Sequence, residues 1–240
     1  MARLTRQEIL EKDSFMVLVE KIRQFFIHYR KQLLRSLALL GVVLIFFLGV
    51  LYYSARQKEN SRNELALALE IYRSPVTKDI SGSPPRGNNV SFKTSTEKYQ
   101  KALEQLQGVA SRHKNRSAGK IATYYVGLCL SALKRTEGAI LQLKSLSQEE
   151  SDYGALALAA LAKVYRDSGN LEAETKTYQQ LVDRDALTTP SETTAMHLAR
   201  LYELQKKQKR AIEVYEKVIR DFPSSEFSSE AEQRLKKISP

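Results

Sequence analysis

The sequence is poor in the residue types that build disulfide scaffolds, metal centres and cofactor sites. Of its 240 residues only Cys129 is a cysteine, so neither a disulfide nor a cysteine-based metal site can form within the chain. His28, His113 and His197 are far apart in sequence and fit no metal-ligand spacing. A glycine-rich phosphate loop and a paired nucleophile and base are also missing. We therefore expect no enzyme, no cofactor and no small-molecule substrate.

Strand-like alternation of apolar and polar residues is missing beyond residue 94, where helical patterns follow one another at short intervals. Proline is scarce as well, and three of the six prolines fall within residues 74–94 together with two glycines. Such a composition predicts a mobile loop. The fold class that we expect is therefore all-α.

Charged residues are absent from a run of 20 residues between Ser36 and Ala55, although the rest of the chain is rich in charge. A helix of that length spans about 30 Å, which is the thickness of the hydrocarbon core of a bilayer. We therefore predict a transmembrane helix over residues 36–55. It divides the chain into a cytoplasmic basic amphipathic tail, residues 1–35, and a larger domain, residues 56–240.

The charges that flank this run indicate its orientation. Residues 21–35 carry five cations and no acid, whereas residues 56–70 carry three cations and three acids. The more basic flank usually stays in the cytoplasm, so residues 56–240 are expected on the far side of the membrane. The inverted arrangement, a cytosol-facing receptor on an organelle, is the less favoured alternative.

Apolar residues at helical spacing precede the run, from Phe15 through Leu18, Ile22 and Phe26 to Tyr29. This stripe indicates either an amphipathic helix, which lies on the inner membrane surface or packs against a membrane partner, or a helix that continues into the anchor.

The net charge of +11 leaves an excess of +7 on residues 56–240 (30 cations minus 23 acids). Those cations are spread along helices among acids, which is typical of a solvated surface. We therefore expect no nucleic-acid partner.

Small residues recur at the spacing of a tetratricopeptide repeat, a helix–turn–helix unit of about 34 residues. Gly127, Ala162 and Ala199 occupy equivalent first-helix positions, 35 and 37 residues apart. The equivalent second-helix positions hold Ala102, Ala139, Glu174 and Ala211, of which Glu174 departs from the small-residue pattern. A last amphipathic helix carries Phe227, Ala231, Leu235 and Ile238 on one face. The pattern predicts about three to four helix pairs, with a loop at residues 74–94 inside the first pair and a C-terminal capping helix.

This arrangement resembles membrane-anchored tetratricopeptide proteins of bacterial envelopes, in particular the YfgM-type ancillary subunit of the Sec translocon. The resemblance implies an inner-membrane protein with one transmembrane helix and a periplasmic repeat domain. It also implies protein partners: translocon subunits, periplasmic chaperones or other envelope complexes. A scaffold for assembly of a cell-envelope or cell-division complex is the alternative function.

Repeat proteins of this kind bind partners on the concave face that their first helices form. Carried over to this sequence, the lining positions of a peptide-binding groove are Ile121, Tyr124, Leu128, Leu156, Lys163, Arg166, Met196 and Arg200. Tyr124 and Leu128 fit a hydrophobic peptide or a helical partner with acidic flanks. The other interpretation is that both residues belong to the core between repeats.

Overall fold

The computed structural model describes residues 6–77, 91–184 and 191–238. In these ranges the regular structure is helical, as the sequence predicts. The helices are α1 (Arg6–Arg73), α2 (Ser95–Arg112), α3 (Ser117–Ala132), α4 (Thr136–Ser147), α5 (Asp152–Asp167), α6 (Leu171–Val182), α7 (Ser191–Leu204), α8 (Gln208–Asp221) and α9 (Glu226–Ile238).

The first compact unit comprises Met1–Lys58 and consists, in its described part, of helix α1. The backbone of α1 runs without a break from Arg6 through the uncharged run, so the tail helix continues into the apolar segment. Residues 39–53 are apolar and almost all exposed; the relative exposure of Phe46, for example, is 73%. By length and composition, Leu39–Arg73 contains a stretch that could cross a membrane, and none of its most apolar window is buried.

The second unit, Glu59–Pro240, is a stack of helix pairs. The end of α1 pairs with α2, because Leu65 and Ala68 are buried in one core with Leu103 and Leu106. From α2 onward each helix packs against the next one along the chain, and α3 also contacts α5. The pairs are therefore α1 with α2, α3 with α4, α5 with α6, and α7 with α8, as the repeat spacing predicts.

Helix α9 closes the stack against α7 and α8. Its Ala231 is fully buried, while Phe227, Leu235 and Ile238 pack half-buried against the same core. The predicted capping face is thus confirmed.

Small residues set how closely the two helices of a pair approach. Ala102, Ala139 and Ala211 are fully buried. A methyl group added to Gly127 would lie 2.5 Å from Cγ of Leu143, so α3 and α4 meet where one of them has no side chain. Burial of each apolar side chain in such a contact contributes about 1.5–3 kcal/mol.

Three equivalent turns, between the first and second helices of the last three pairs, contain a left-handed residue. These residues are Lys134 with φ 60°, Gly169 with φ 73° and Lys206 with φ 57°. The turns are held by short backbone bonds, for example from Arg135 N to Leu130 O at 2.8 Å.

The segment between α1 and α2 has a paired stem that the sequence did not reveal. Val76 and Phe92 form an isolated parallel bridge, with bonds from Thr77 N to Phe92 O at 3.1 Å and from Phe92 N to Pro75 O at 3.2 Å. Phe92 is buried. The two ends of the predicted mobile loop, residues 74–94, are therefore fixed, and its centre, residues 78–90, lies outside the described residues.

Candidate functional site

The predicted groove residues lie on α3, α5 and α7, the first helices of their pairs. Each of these helices buries small residues on one face. Ala122, Ala162 and Ala199, for instance, are fully buried. The side chains on the remaining faces are the ones available to a partner.

The residues predicted on α3 are half-buried. Ile121, Tyr124 and Leu128 all pack against the main core while part of each side chain stays accessible. The Tyr124 ring meets that of Tyr125 edge-on at 5.3 Å, and burial raises the pKa of the Tyr124 hydroxyl. These residues therefore combine the two roles considered from the sequence, because they contribute to the core and leave apolar surface exposed.

Leu156 and Lys163 occupy different surroundings on α5. Leu156 is half-buried, whereas Lys163 is exposed and forms an ion pair with Asp167, one helical turn later, at 2.9 Å. An exposed pair of this spacing contributes only a few tenths of a kcal/mol, about 0.3–0.5. Lys163 can therefore exchange this partner for another carboxylate at little cost.

Met196 cannot line the groove, which corrects the prediction. Its side chain is 1% exposed and belongs to the core of α7, α8 and α9. A periodic pattern gives the helix face only to within one residue, which corresponds to a rotation of about 100°. At position 196 the side chain faces the core of α7, α8 and α9 and not the groove.

Arg166 is held by Glu174, the residue that departs from the small-residue pattern of the second helices. Its Nε donates to Oε1 of Glu174 at 2.7 Å, and its Nη2 donates to the hydroxyl of Tyr178 at 2.8 Å. The Glu174 side chain is 4% exposed and that of Arg166 is 46% exposed. Burial opposes the charge of Arg166 and is the largest single effect, but the hydrogen bonds and charges of Glu174 and Tyr178 together outweigh it and raise the pKa of the guanidinium. The departure at Glu174 is thus compensated by a charged partner.

Arg200 connects α7 to the capping helix. Its Nη2 donates to both carboxylate oxygens of Glu230, at 2.7 and 2.6 Å. Glu230 also accepts from Nε of Arg234 at 2.9 Å, and Arg234 binds Glu203 at 2.8 Å. The bonds from Arg200 and Arg234 lower the pKa of Glu230. Arg200 therefore stabilises the end of the stack, in addition to the groove role predicted for it.

A cavity of about 420 Å³ brings Arg166 and Arg200 to one place. Its walls come from the end of α5, the turn after it, the start of α6 and α7. The lining residues are Arg166, Gly169, Leu171, Glu174, His197, Arg200, Leu201 and Leu204. This volume lies within the range of about 300–1,000 Å³ that is typical of ligand pockets.

The walls of the cavity carry charged groups of both signs, namely Arg166, Arg200 and Glu174. Burial, together with the nearby charges of Arg166 and Arg200, lowers the pKa of His197, and the charge of Glu174 only partly offsets this. The His197 ring also stacks on Tyr178 at 5.5 Å.

Sequence reasoning found two of the cavity residues and missed the others. Leu171, Leu201 and Leu204 follow ordinary helical spacing, and nothing in that spacing separates a cavity wall from a core position. One signal was present in the sequence. Glu174 stands where a small residue is expected, and a carboxylate at a packed position requires a cationic partner.

Comparison with solved structures supports the class of fold. A Podosopora anserina structure, described as a kinesin light chain with nearly identical TPR-like repeats, superposes with a TM-score of 0.50 at 14% identity. The match covers 75% of this chain and 86% of that one. A single-residue variant of the same protein gives a TM-score of 0.48 at 14% identity, covering 75% and 93%. The first of these matches, together with the stack of helix pairs, defines the fold as a TPR-like helical repeat.

Comparison with family models identifies one repeat directly. Residues 194–225 match the tetratricopeptide repeat, which corresponds in the structure to α7 and α8. No curated protein sequence matches the chain significantly. A tetratricopeptide-like domain of this type indicates a protein that binds other proteins.

Proposed function

We propose that this chain is a non-catalytic scaffold that binds other proteins at a membrane surface. The observation that carries the proposal is the accessible, chemically mixed surface of α3, α5 and α7. It is apolar at Tyr124 and Leu128 and cationic at Lys163, Arg166 and Arg200. A rigid stack of helix pairs keeps these side chains in fixed positions, which reduces the entropy lost when a partner binds.

The exposed apolar segment of α1 supports the membrane part of the proposal. A core helix of a soluble protein buries its apolar side chains, whereas here residues 39–53 have no protein cover within the described part of the chain. Burial in lipid would remove this surface from water at a gain of about 25 cal/mol per Å². We therefore assign residues 36–55 as the membrane anchor.

A tether changes what a weak binding surface can achieve. Attachment to the membrane raises the local concentration of the surface near partners in the same membrane, so modest contacts suffice for capture. The proposed partners are translocon subunits, periplasmic chaperones or envelope complexes, as the resemblance to YfgM-type proteins implies. The proposed role is to assist protein translocation, or to recruit a chaperone, at the Sec translocon.

The proposed orientation places the N-terminus in the cytoplasm and residues 56–240 in the periplasm of a bacterial inner membrane. It rests on the excess of cations in residues 21–35. A reporter that is active only outside the cytoplasm, fused to the C-terminus, should give a signal. Silence of that fusion beside an active cytoplasmic reporter would reverse the assignment.

Site-specific crosslinking tests the scaffold itself. A photoreactive amino acid at Tyr124 should trap one or a few discrete proteins in intact membranes, because this side chain is partly accessible on the proposed face. The same group at Leu141, which is 67% exposed on α4, serves as the matched control and should trap none of them. Mass spectrometry then identifies the products.

Two outcomes would contradict the proposal. Identical products from both positions would show that the face of α3 is not selective. A diffuse smear from Tyr124, with no discrete band after detergent purification of the intact chain, would argue against a defined partner. Discrete products that lack every translocon subunit would keep the scaffold and remove its assignment to the translocon.

A further inference from the structure

The turns of successive repeats meet along one edge of the stack. Nη2 of Arg135 donates to Oε1 of Gln100 at the start of α2, at 3.1 Å. Lys134, in the same turn, is close enough to Asp167 to help lower the pKa of that carboxyl, after its hydrogen bond with Lys163. At the far end Nε2 of Gln205 donates to Oγ1 of Thr175 on α6 at 2.6 Å. We call this series of contacts the turn edge.

The last turn of the edge is strongly basic. From the sequence we expected cations to be spread among acids, so this cluster was not predicted. Four cations occur within five residues, and all four are exposed: Lys206, Lys207, Lys209 and Arg210. None of them forms an ion pair with another residue in the described part of the chain. By contrast, many other cations of the repeat domain are paired with carboxylates, namely Lys101, Arg112, Lys120, Lys163, Arg166, Arg200 and Arg234. We call residues 206–210 the basic turn.

The basic turn lies next to the cavity described above. Leu204 lines the cavity and is 71% exposed, and only Gln205 separates it from Lys206. Leu171 and Leu201 complete an apolar wall beside it. An accessible apolar hollow therefore adjoins four cations that have no carboxylate partner among the described residues.

We infer that the cavity and the basic turn together bind a short acidic peptide segment that carries an apolar anchor residue. The anchor enters the cavity against Leu204 and Leu201, and the carboxylates of the segment pair with the basic turn. This inference rests on the proposed function, because it names the chemistry of a partner segment. The site lies on the turn edge, apart from the face at Tyr124 and Leu128.

The geometry favours a peptide over a nucleic acid. Single-stranded nucleic acids are bound largely by exposed aromatic side chains on which the bases stack. The aromatic residue in contact with Arg210 of the basic turn is Tyr202, which is 5% exposed and lies under the guanidinium at 5.8 Å. The cavity instead offers leucine side chains, which suit an apolar residue of a peptide.

Fluorescence anisotropy with defined peptides tests the inference on the intact chain in mild detergent. The probe is a fluorescein-labelled twelve-residue peptide with a central pair of leucines and four glutamates. One comparison peptide replaces the glutamates by lysines, and another replaces the leucines by serines. The probe should bind saturably, and both comparison peptides should bind at least about tenfold more weakly. Affinity for the probe should fall as salt rises, because exposed charges are screened.

Two pairs of matched variants locate the site. Replacing Lys206, Lys207, Lys209 and Arg210 by glutamine should weaken probe binding about ten- to a hundredfold. As the matched control, Lys144, Lys217, Lys236 and Lys237, which are also exposed, are replaced by glutamine. This control changes the net charge equally and should leave the affinity for the probe unchanged. Leu204→Ser should weaken binding at least about fivefold, whereas Leu141→Ser, at a similarly exposed leucine of α4, should have no effect. All substituted side chains are exposed, so folding is preserved.

Each contrary result overturns the site. Equal affinity for the probe and for the serine peptide would show that the peptide is bound by charge alone and that the cavity plays no part. Equal loss of probe affinity in the two fourfold glutamine variants would show that net charge matters and its location does not. Tighter binding of a single-stranded oligonucleotide than of the probe would assign the surface to nucleic acid. If the probe fails while crosslinking from Tyr124 still traps a partner, this site falls and the scaffold stands. If both fail, both are rejected.

Discussion

Glu174 shows how a single residue can depart from a repeat pattern without breaking the repeat. Equivalent second helices carry alanine at this position, and those alanines are fully buried. A carboxylate taken out of water costs several kcal/mol unless it is paired and hydrogen-bonded. Here Nε of Arg166 supplies the bond at 2.7 Å. The pair also fixes one wall of the cavity, so a residue of the packing interface contributes to the shape of a surface site.

Glycine at position 127 should be essential for the close approach of α3 and α4. Gly127→Ala places a methyl group 2.5 Å from Leu143 Cγ, so the Leu143 side chain or one of the two helices must shift. Overpacking of this kind typically costs about 1–3 kcal/mol. We expect a lower free energy of unfolding for the variant, measured by circular dichroism of the intact chain in detergent.

Gly138→Ala is the matched control, because it adds the same methyl group to the partner helix. There the new atom would lie 3.5 Å from Leu130 Cδ1, an ordinary contact. Alanine favours a helix over glycine by about 0.5–1 kcal/mol, so this variant should be neutral or more stable. Equal destabilisation by both changes would contradict the account of the α3–α4 contact.

At the scale of a helix, α9 is attached to the stack by charge as well as by apolar burial. Ala231 is fully buried, and the bonds from Arg200 and Arg234 to Glu230 surround this contact. These bonds lower the pKa of Glu230 in the folded chain below its ordinary value of 4.5. The contribution of Glu230 to the stability of the folded chain is therefore fully present above pH 4.5. It is lost as the pH falls through the lower pKa that Glu230 has in the folded chain.

Hydrogen exchange of the α9 amides should reveal this dependence on pH. Once the intrinsic exchange rate is corrected for, protection of α9 should decrease as the pH falls below about 4.5. Glu230→Gln should already show weak protection at neutral pH and should lose the dependence. Glu232→Gln, an exposed position on the same helix, should behave like the native chain. Loss of protection that is unchanged by Glu230→Gln would assign the effect to other carboxylates.

The helices themselves were predictable because the apolar period and the spacing of small residues both act locally along the chain. The elements that escaped prediction depend on contacts between distant segments. The bridge between Val76 and Phe92 joins the two ends of the loop at residues 74–94, and the residues around neither end show the alternation of a strand. Met196 was misplaced because spacing defines a helix face only approximately, whereas packing against α8 and α9 selects one rotation. The cavity joins three helices, which no single periodic pattern describes.

On the scale of the whole molecule, the two compact units carry opposite kinds of surface. The unit of Met1–Lys58 exposes leucine, isoleucine and phenylalanine along residues 39–53. The unit of Glu59–Pro240 has a buried apolar core and exposes charge together with a few leucines, such as Leu67, Leu141 and Leu204. This contrast between residues 39–53 and the repeat domain is the physical basis of the proposal that residues 36–55 lie in lipid and the repeat domain in water.

Extraction of membranes with alkaline carbonate should leave the chain in the pellet. Leu44→Arg combined with Leu48→Arg should release it or prevent its insertion, because an arginine at the centre of a membrane helix costs about 2.5–3.5 kcal/mol. Leu67→Arg combined with Leu141→Arg adds the same charges at exposed positions of the repeat domain and should leave the chain in the pellet. Release of the native chain by carbonate would contradict the anchor.

The left-handed turns of the repeats place stability and recognition in opposition. Gly169 adopts its φ of 73° freely, whereas lysine at 134 and 206 adopts nearly the same angle against the preference of a residue with a side chain. Glycine at either lysine position would relieve this strain and would also remove a charge from the turn edge. Selection for thermal stability alone would thus drive these turns toward glycine. Lysine at these two positions therefore places charge on the turn edge at a cost in backbone strain.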